Sequence, residues 1–224
     1  TTLATSIANG ATDIDFAVNT EVMENVTIPA GTRVTADGNA QMTIGSLENR
    51  DVTVTVADSA SIRDGKVIVN GTLVFENNKR DMRTDIESDV QIDEEPKMTY
   101  TNIYTALDNA ESGKVTITRD TVTLNQDITV KEGVTLVIPA NTTVQMWNKV
   151  TLTVDGTVEN SGKIINIIGD NSTATTPGGF NPLTSDNKTN TEAAKIVVNG
   201  AFKSMEYTNY DDAADGAVNY YIPG

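Results

Sequence analysis

One local pattern recurs along the chain and constrains it more than any other feature. Val67-Ile68-Val69-Asn70-Gly71-Thr72-Leu73, Leu152-Thr153-Val154-Asp155-Gly156-Thr157-Val158 and Ile196-Val197-Val198-Asn199-Gly200-Ala201-Phe202 share it: an aliphatic stretch, an Asx-Gly step, a small residue, then another apolar one. A second pair also repeats, Ile28-Pro29-Ala30-Gly31-Thr32 and Ile138-Pro139-Ala140-Asn141-Thr142. Asx-Gly steps supply turn conformations that most side chains resist, and apolar alternation around them belongs to strands. The chain has 34 Thr, 23 Val and 18 Ile, so 75 of its 224 residues are β-branched, against 8 Leu. Such side chains suit a pleated surface and are stiff in helices. The chain is expected to be all-β.

Asx-Gly steps serve as hairpin turns between antiparallel strands or as corners of a solenoid. Residues 127–154 favour the solenoid, because strand-like segments follow one another there with two to five residues between them. Strand direction in residues 1–78 stays open. Ile103, Ala106, Leu107 and Ala110 share a helical face, and Gly113 follows as a stop, so a short helix is expected near 101–112, plugging the end of a stack of coils. The expected fold is a parallel β-helix with that one capping helix; the alternative is an antiparallel β-sandwich in two domains. The core is expected to hold Val67, Val69, Leu73, Ile128, Val130, Leu136, Ile138, Leu152, Val154, Ile196 and Val197. The organisation reads as a β-rich part (1–78), a charged linker or excursion (79–98) and a β-solenoid part (99–224) with a long loop at 170–192. The two Ile-Pro-Ala to Asx-Gly spacings differ, 28 to 70 against 138 to 155, so the repeat is degenerate or one half carries an insertion.

The run from Tyr104 to Ile164 resembles the opening of many pectin-lyase-like right-handed parallel β-helix proteins. The matching residues are Ala110 to Gly113, Ile128 to Ala140 and Leu152 to Thr157. The resemblance implies a β-helix fold and the setting in which such solenoids occur, the secreted and cell-surface proteins of bacteria and archaea, where they serve as stalks and adhesins. It brings no catalytic motif with it, and fold does not fix function.

The chain has no Cys and no His, which removes disulfides, thiolate nucleophiles, Cys/His zinc sites and histidine bases. A net charge of −15 argues against nucleic acid as a partner. No stretch reaches the length of a membrane helix, so no membrane insertion is expected. Paired carboxylates of a glycosidase are not suggested: Glu94 and Glu95 sit in the charged stretch, and Asp13 and Asp15 lack an acid–base partner. The chain is therefore not expected to be an enzyme. Asp211, Asp212 and Asp215 beside Gly216 form the one candidate calcium site, against the simpler reading of a solvated acidic turn. Asn25, Asn70, Asn141, Asn171 and Asn187 begin glycosylation sequons, and five is close to the roughly four that composition supplies by chance. Thr1-Thr2-Leu3-Ala4-Thr5-Ser6 reads like a mature N-terminus left after processing.

Both ends carry apolar residues that suggest an assembly surface: Ile14, Phe16 and Val18 at one, Tyr207, Tyr210, Tyr220 and Tyr221 at the other. The expected function is an extracellular structural subunit of a filament, sheath or surface layer, a homo-oligomer or polymer built head-to-tail. The alternative is a carbohydrate-binding or adhesin module of a larger surface protein.

Overall fold

A computed structural model describes residues 1–77, 84–147, 149–167, 194–204 and 218–220. The chain divides into two compact units, Thr1–Asn102 and Ile103–Gly224. Each is a stack of coils with three strands per coil, and each begins with a short helix.

In the first unit, α1 (Leu3–Ala8) precedes a coil of β1 (Asp13–Phe16), β2 (Thr20–Val22) and β3 (Val26–Ile28). A second coil follows with β4 (Arg33–Ala36), β5 (Gln41–Ile44) and β6 (Thr53–Val56), and a third with β7 (Ser61–Arg63), β8 (Lys66–Val69) and β9 (Thr72–Phe75). Strands stack in parallel from coil to coil as β1-β4-β7, β2-β5-β8 and β3-β6-β9. Period-two alternation turns one face of every strand inward, so aligned residues form aliphatic ladders such as Ile14–Val34–Ile62 and Val22–Ile44–Val69. The order left open for residues 1–78 is therefore parallel.

The charged stretch 79–98, expected to be a linker or an excursion, contains strands from Asp85 onward. β10 (Asp85–Ser88) adds to β8 in parallel. β11 (Val90–Glu94) and β12 (Lys97–Thr101) form an antiparallel hairpin, and β12 pairs antiparallel with β9. Of the charges that suggested a linker, Asp93 and Glu94 sit on exposed positions of β11, an edge strand, where charge opposes further pairing. Lys97 reaches Glu76 at 3.3 Å on the same sheet.

The second unit repeats the design. α2 (Ile103–Asn109) buries Ile103, Ala106 and Leu107. The coils are β13 (Gly113–Thr116), β14 (Thr121–Leu124), β15 (Ile128–Val130); then β16 (Val134–Ile138), β17 (Thr143–Trp147), β18 (Thr151–Val154); then β19 (Thr157–Asn160), β20 (Lys163–Ile167), β21 (Lys195–Val198). β22 (Ala201–Ser204) continues one sheet in parallel, and β23 (Val218–Tyr220) pairs antiparallel with β21. The expected single helix is thus corrected to two among the described residues. α1 was missed because Leu3-Ala4-Thr5-Ser6-Ile7-Ala8 is too short for a helical period to stand out from a weak alternation. Its start is marked by Thr2, whose hydroxyl accepts from the Thr5 N–H at 3.1 Å.

Both repeated motifs are coil corners. The N–H groups of Asn70 and Gly71 converge on the Ile44 carbonyl one coil below, at 2.8 and 2.9 Å. Asp155 and Gly156 do the same to Val130, and Asn199 and Gly200 to Val154, all at 2.9 Å. A Cβ at Gly71 would strike the Val52 carbonyl oxygen, and one at Gly156 those of Lys131 and Val134. The Ile-Pro-Ala corners also match: the Thr32 N–H donates to the Pro29 carbonyl at 3.1 Å, and the Thr142 N–H to Pro139 at 3.0 Å. The unequal spacings follow directly. Ile138 and Asp155 are separated by two strands, β17 and β18, whereas the five strands β4 to β8 lie between Ile28 and Asn70, a further coil that includes the wider corner at residues 45–52.

Candidate functional site

The aliphatic core is where the alternation places it. Of the residues expected there, only Val197 departs: it is half-buried, while its neighbours Ile196 and Val198 point inward. Adjacent strand residues face opposite sides, so Ile196 and Val197 could not both be core.

Of the expected assembly residues, Ile14, Phe16, Val18 and Tyr220 fall within the described residues. Ile14 and Phe16 alternate with Asp13 and Asp15 on β1 and lie inside the core, 6% and 9% exposed. They are corrected from surface to core, because the inward ladder takes their side chains. Val18 alone among the N-terminal three is open to solvent, 71% exposed. At the other end, Tyr220 belongs to β23, in register with Ile196, while Tyr207, Tyr210 and Tyr221 lie outside the described residues. Asp211, Asp212 and Asp215 lie outside them too, as do the sequons at Asn171 and Asn187 and the loop 170–192. Among the described residues there is no group of three His, Cys, Asp or Glu able to hold a metal ion.

The three described sequons differ. Asn70 is half-buried and its Nδ2, the atom a glycan would take, donates to the Gly45 carbonyl at 3.4 Å. Asn25 is exposed and uses only Oδ1, which accepts from the Thr53 N–H one coil above at 2.8 Å. Asn141 is exposed at its corner.

The most distinctive surface lies at the N-terminal end of the first unit. Leu3 inserts into the core at 1% exposure, and Ala4, Ile7 and Ala11 pack beside it, so α1 covers the apolar cross-section of the first coil. Between α1 and the β2–β3 corner runs a groove of about 400 Å³ lined by Thr2, Leu3, Ala4, Glu21, Val22, Met23, Glu24 and Val26. Met23 is 44% exposed, and with Val18 it makes up the exposed large hydrophobics among the described residues. Both flank β2. The sequence carried a signal for this groove, since Met23 interrupts a polar corner between Glu21 and Glu24, but only the fold brings α1 over it.

On the neighbouring sheet edge, Arg33 grips Asp13 with two donors, Nε to Oδ1 at 3.1 Å and Nη2 to Oδ2 at 2.5 Å. These hydrogen bonds hold the Asp13 carboxyl below its ordinary range and raise the Arg33 guanidinium.

No family model, no curated protein and no solved structure matches this chain. Among the described residues, no helix is long and apolar enough to cross a membrane.

Proposed function

We propose that the chain is a structural building block of an extracellular assembly, a filament, sheath or surface layer made from repeated copies, with no catalytic role. The observation that carries this reading is the recurrence of one coil design through both units. The same Ile-Pro-Ala and Asx-Gly corners hold the same kind of aliphatic ladder, so most of the described sequence is spent on continuous parallel hydrogen bonding. The resemblance of residues 104–164 to surface-protein β-helix segments supports the extracellular setting. Acidic exteriors such as this one keep dense protein arrays from collapsing on one another.

The carbohydrate-binding or adhesin alternative wants a row of aromatics on a sheet face. Trp147 lies on the outer side of β17, but its register partner is Ile167 rather than a second aromatic. Asn25 and Asn141 are the described sequons whose geometry suits a glycan. Electron microscopy of concentrated protein, with and without calcium, tests the reading. Ordered filaments or sheets are expected. Dispersed particles under every condition would overturn it, and assembly only with calcium would direct attention to Asp211, Asp212 and Asp215.

A further inference from the structure

β1, β2 and β3 each end a sheet among the described strands, so the first coil presents three strand edges. The exposed positions of β1 are Asp13 and Asp15, and charge along an edge opposes pairing. α1 packs against β3. β2 differs from both. One side of it pairs with β5, and the other faces the groove whose far wall is α1. Val18 and Met23, the exposed large hydrophobics among the described residues, stand at its two ends.

The backbone of β2 is oriented for a further strand. The Val22 carbonyl accepts from the Gly45 N–H one coil above at 2.9 Å, so the polar groups of Val22 face β5. Those of Glu21, next to it in the strand, therefore face the open edge. The groove is apolar inside, at Leu3, Val22 and Val26, and acidic at its rim, where Glu21 and Glu24 are exposed. Residues 1–32 contain no Lys or Arg. The wider corner one coil above contributes Glu48 and Asp51 against Arg50, whose Nη1 donates to the Leu47 carbonyl at 2.7 Å. The charge around the groove is thus negative from both corners.

We infer that the open edge of β2 and its groove take an extended segment of a partner protein, added as a further strand, in which basic residues alternate with aliphatic ones. The alternation follows from the pleat. On a strand laid beside β2, every second side chain turns into the groove against Leu3, Val22 and Val26, and the others turn outward beside Glu21 and Glu24. Main-chain hydrogen bonds to Glu21 supply affinity, and the side chains supply selectivity. The chain's own net charge of −15 makes a basic partner, rather than a second copy, the complementary occupant. This site does not depend on the building-block reading, since a single copy is enough to form it.

Calorimetric titration of the full chain with the synthetic peptide acetyl-Lys-Val-Lys-Val-Lys-amide tests it, with the Glu-Val-Glu-Val-Glu and Lys-Ser-Lys-Ser-Lys versions as controls. Both controls should bind at least about tenfold more weakly, the first through like charge at the rim and the second through loss of the apolar contact. E21K/E24K should reverse the preference, losing the Lys-Val peptide and gaining the Glu-Val one. Circular dichroism checks that this variant folds; E21Q/E24Q, which should weaken the Lys-Val peptide without gaining the other, takes its place if it does not. Amide exchange at Glu21 should slow when the Lys-Val peptide is bound, an effect that charge contact without strand pairing does not produce. No binding of the Lys-Val peptide, equal binding of the Lys-Ser peptide, or unchanged exchange at Glu21 would overturn the site. Sedimentation in which the wild type self-associates and E21K/E24K does not would overturn the choice of partner and give the groove to a second copy.

Discussion

Gly156 sits where three backbone segments meet, and its lack of a side chain is a requirement of distance rather than of dihedral angle. Its N–H and that of Asp155 share the Val130 carbonyl, which pulls the corner onto the coil below until a Cβ would overlap the carbonyl oxygens of Lys131 and Val134. Neither oxygen can retreat without breaking the ladder. Gly156→Ala should therefore cost about 3 kcal/mol. Gly31→Ala has open space around its Cβ and only the left-handed backbone to resist, at φ 79°, so about 1 kcal/mol is expected. Denaturant melts that gave equal losses would show that close approach is not what selects glycine at the Asx-Gly corners. Those corners were legible because both roles of Asx-Gly, hairpin turn and coil corner, use the same residues. The choice between them was not legible locally, since the accepting carbonyl lies on a different coil. The Asp13–Arg33 pair was equally invisible, being 20 residues apart in sequence and adjacent only through the β1–β4 register. Arg33 holds the Asp13 pKa below its unfolded value, so the pair's stabilisation is present above that unfolded value and is lost as pH falls through the folded one. In Arg33→Gln the Asp13 carboxyl should titrate closer to the usual value of about 3.9. An unchanged midpoint by NMR would contradict the assigned cause.

At the scale of the element, the two helices test one idea at two places. Leu107 is 1% exposed on α2 and Leu3 1% exposed on α1, each fixing a short helix at the start of a unit. A helix of six or seven residues has little intrinsic stability and owes its existence to that packing. Leu107→Ala and Leu3→Ala should each cost about 2–5 kcal/mol, and amide exchange should rise first in the helix concerned. Loss of less than about 1 kcal/mol with unchanged exchange would retire the capping role. Only α2 was readable, because Ile103, Ala106, Leu107 and Ala110 mark a face over two turns. α1 offers Leu3 and Ile7 alone, a spacing that a strand with one slip also produces. The strands of the β10–β12 region were hard to read for another reason. Its charges, including Asp93 and Glu94, lie on an edge strand with few buried positions, and an edge strand of that kind has the composition of a linker.

At the scale of the whole molecule, each unit is by itself close to one-dimensional: among the described residues, each strand pairs chiefly with its equivalents in the coils before and after it. In such a structure stability is a sum of coil terms and neighbour terms, and the ends decide whether a piece survives alone. The first unit has both ends finished. α1 closes one, and at the other the chain reverses direction in the β11–β12 hairpin, which pairs antiparallel with β9 and places charged residues on the last edge. Asn102, at the end of the unit, ties back through its Nδ2 to the Gly71 carbonyl at 3.2 Å. Its core from Leu3 to Tyr100 is drawn entirely from within the unit. Residues 1–102 expressed alone should therefore fold and unfold in a single cooperative transition, with a parallel-sheet circular dichroism spectrum. Removing residues 90–102 as well would strip the hairpin and leave β9 and β10 as uncovered edges, so this shorter piece should aggregate or lose cooperativity. If residues 1–89 melt as sharply as residues 1–102, the hairpin does not finish the stack. If residues 1–102 do not fold at all, the first unit depends on the rest of the chain for its stability, and the boundary at Asn102 does not separate two independent cores.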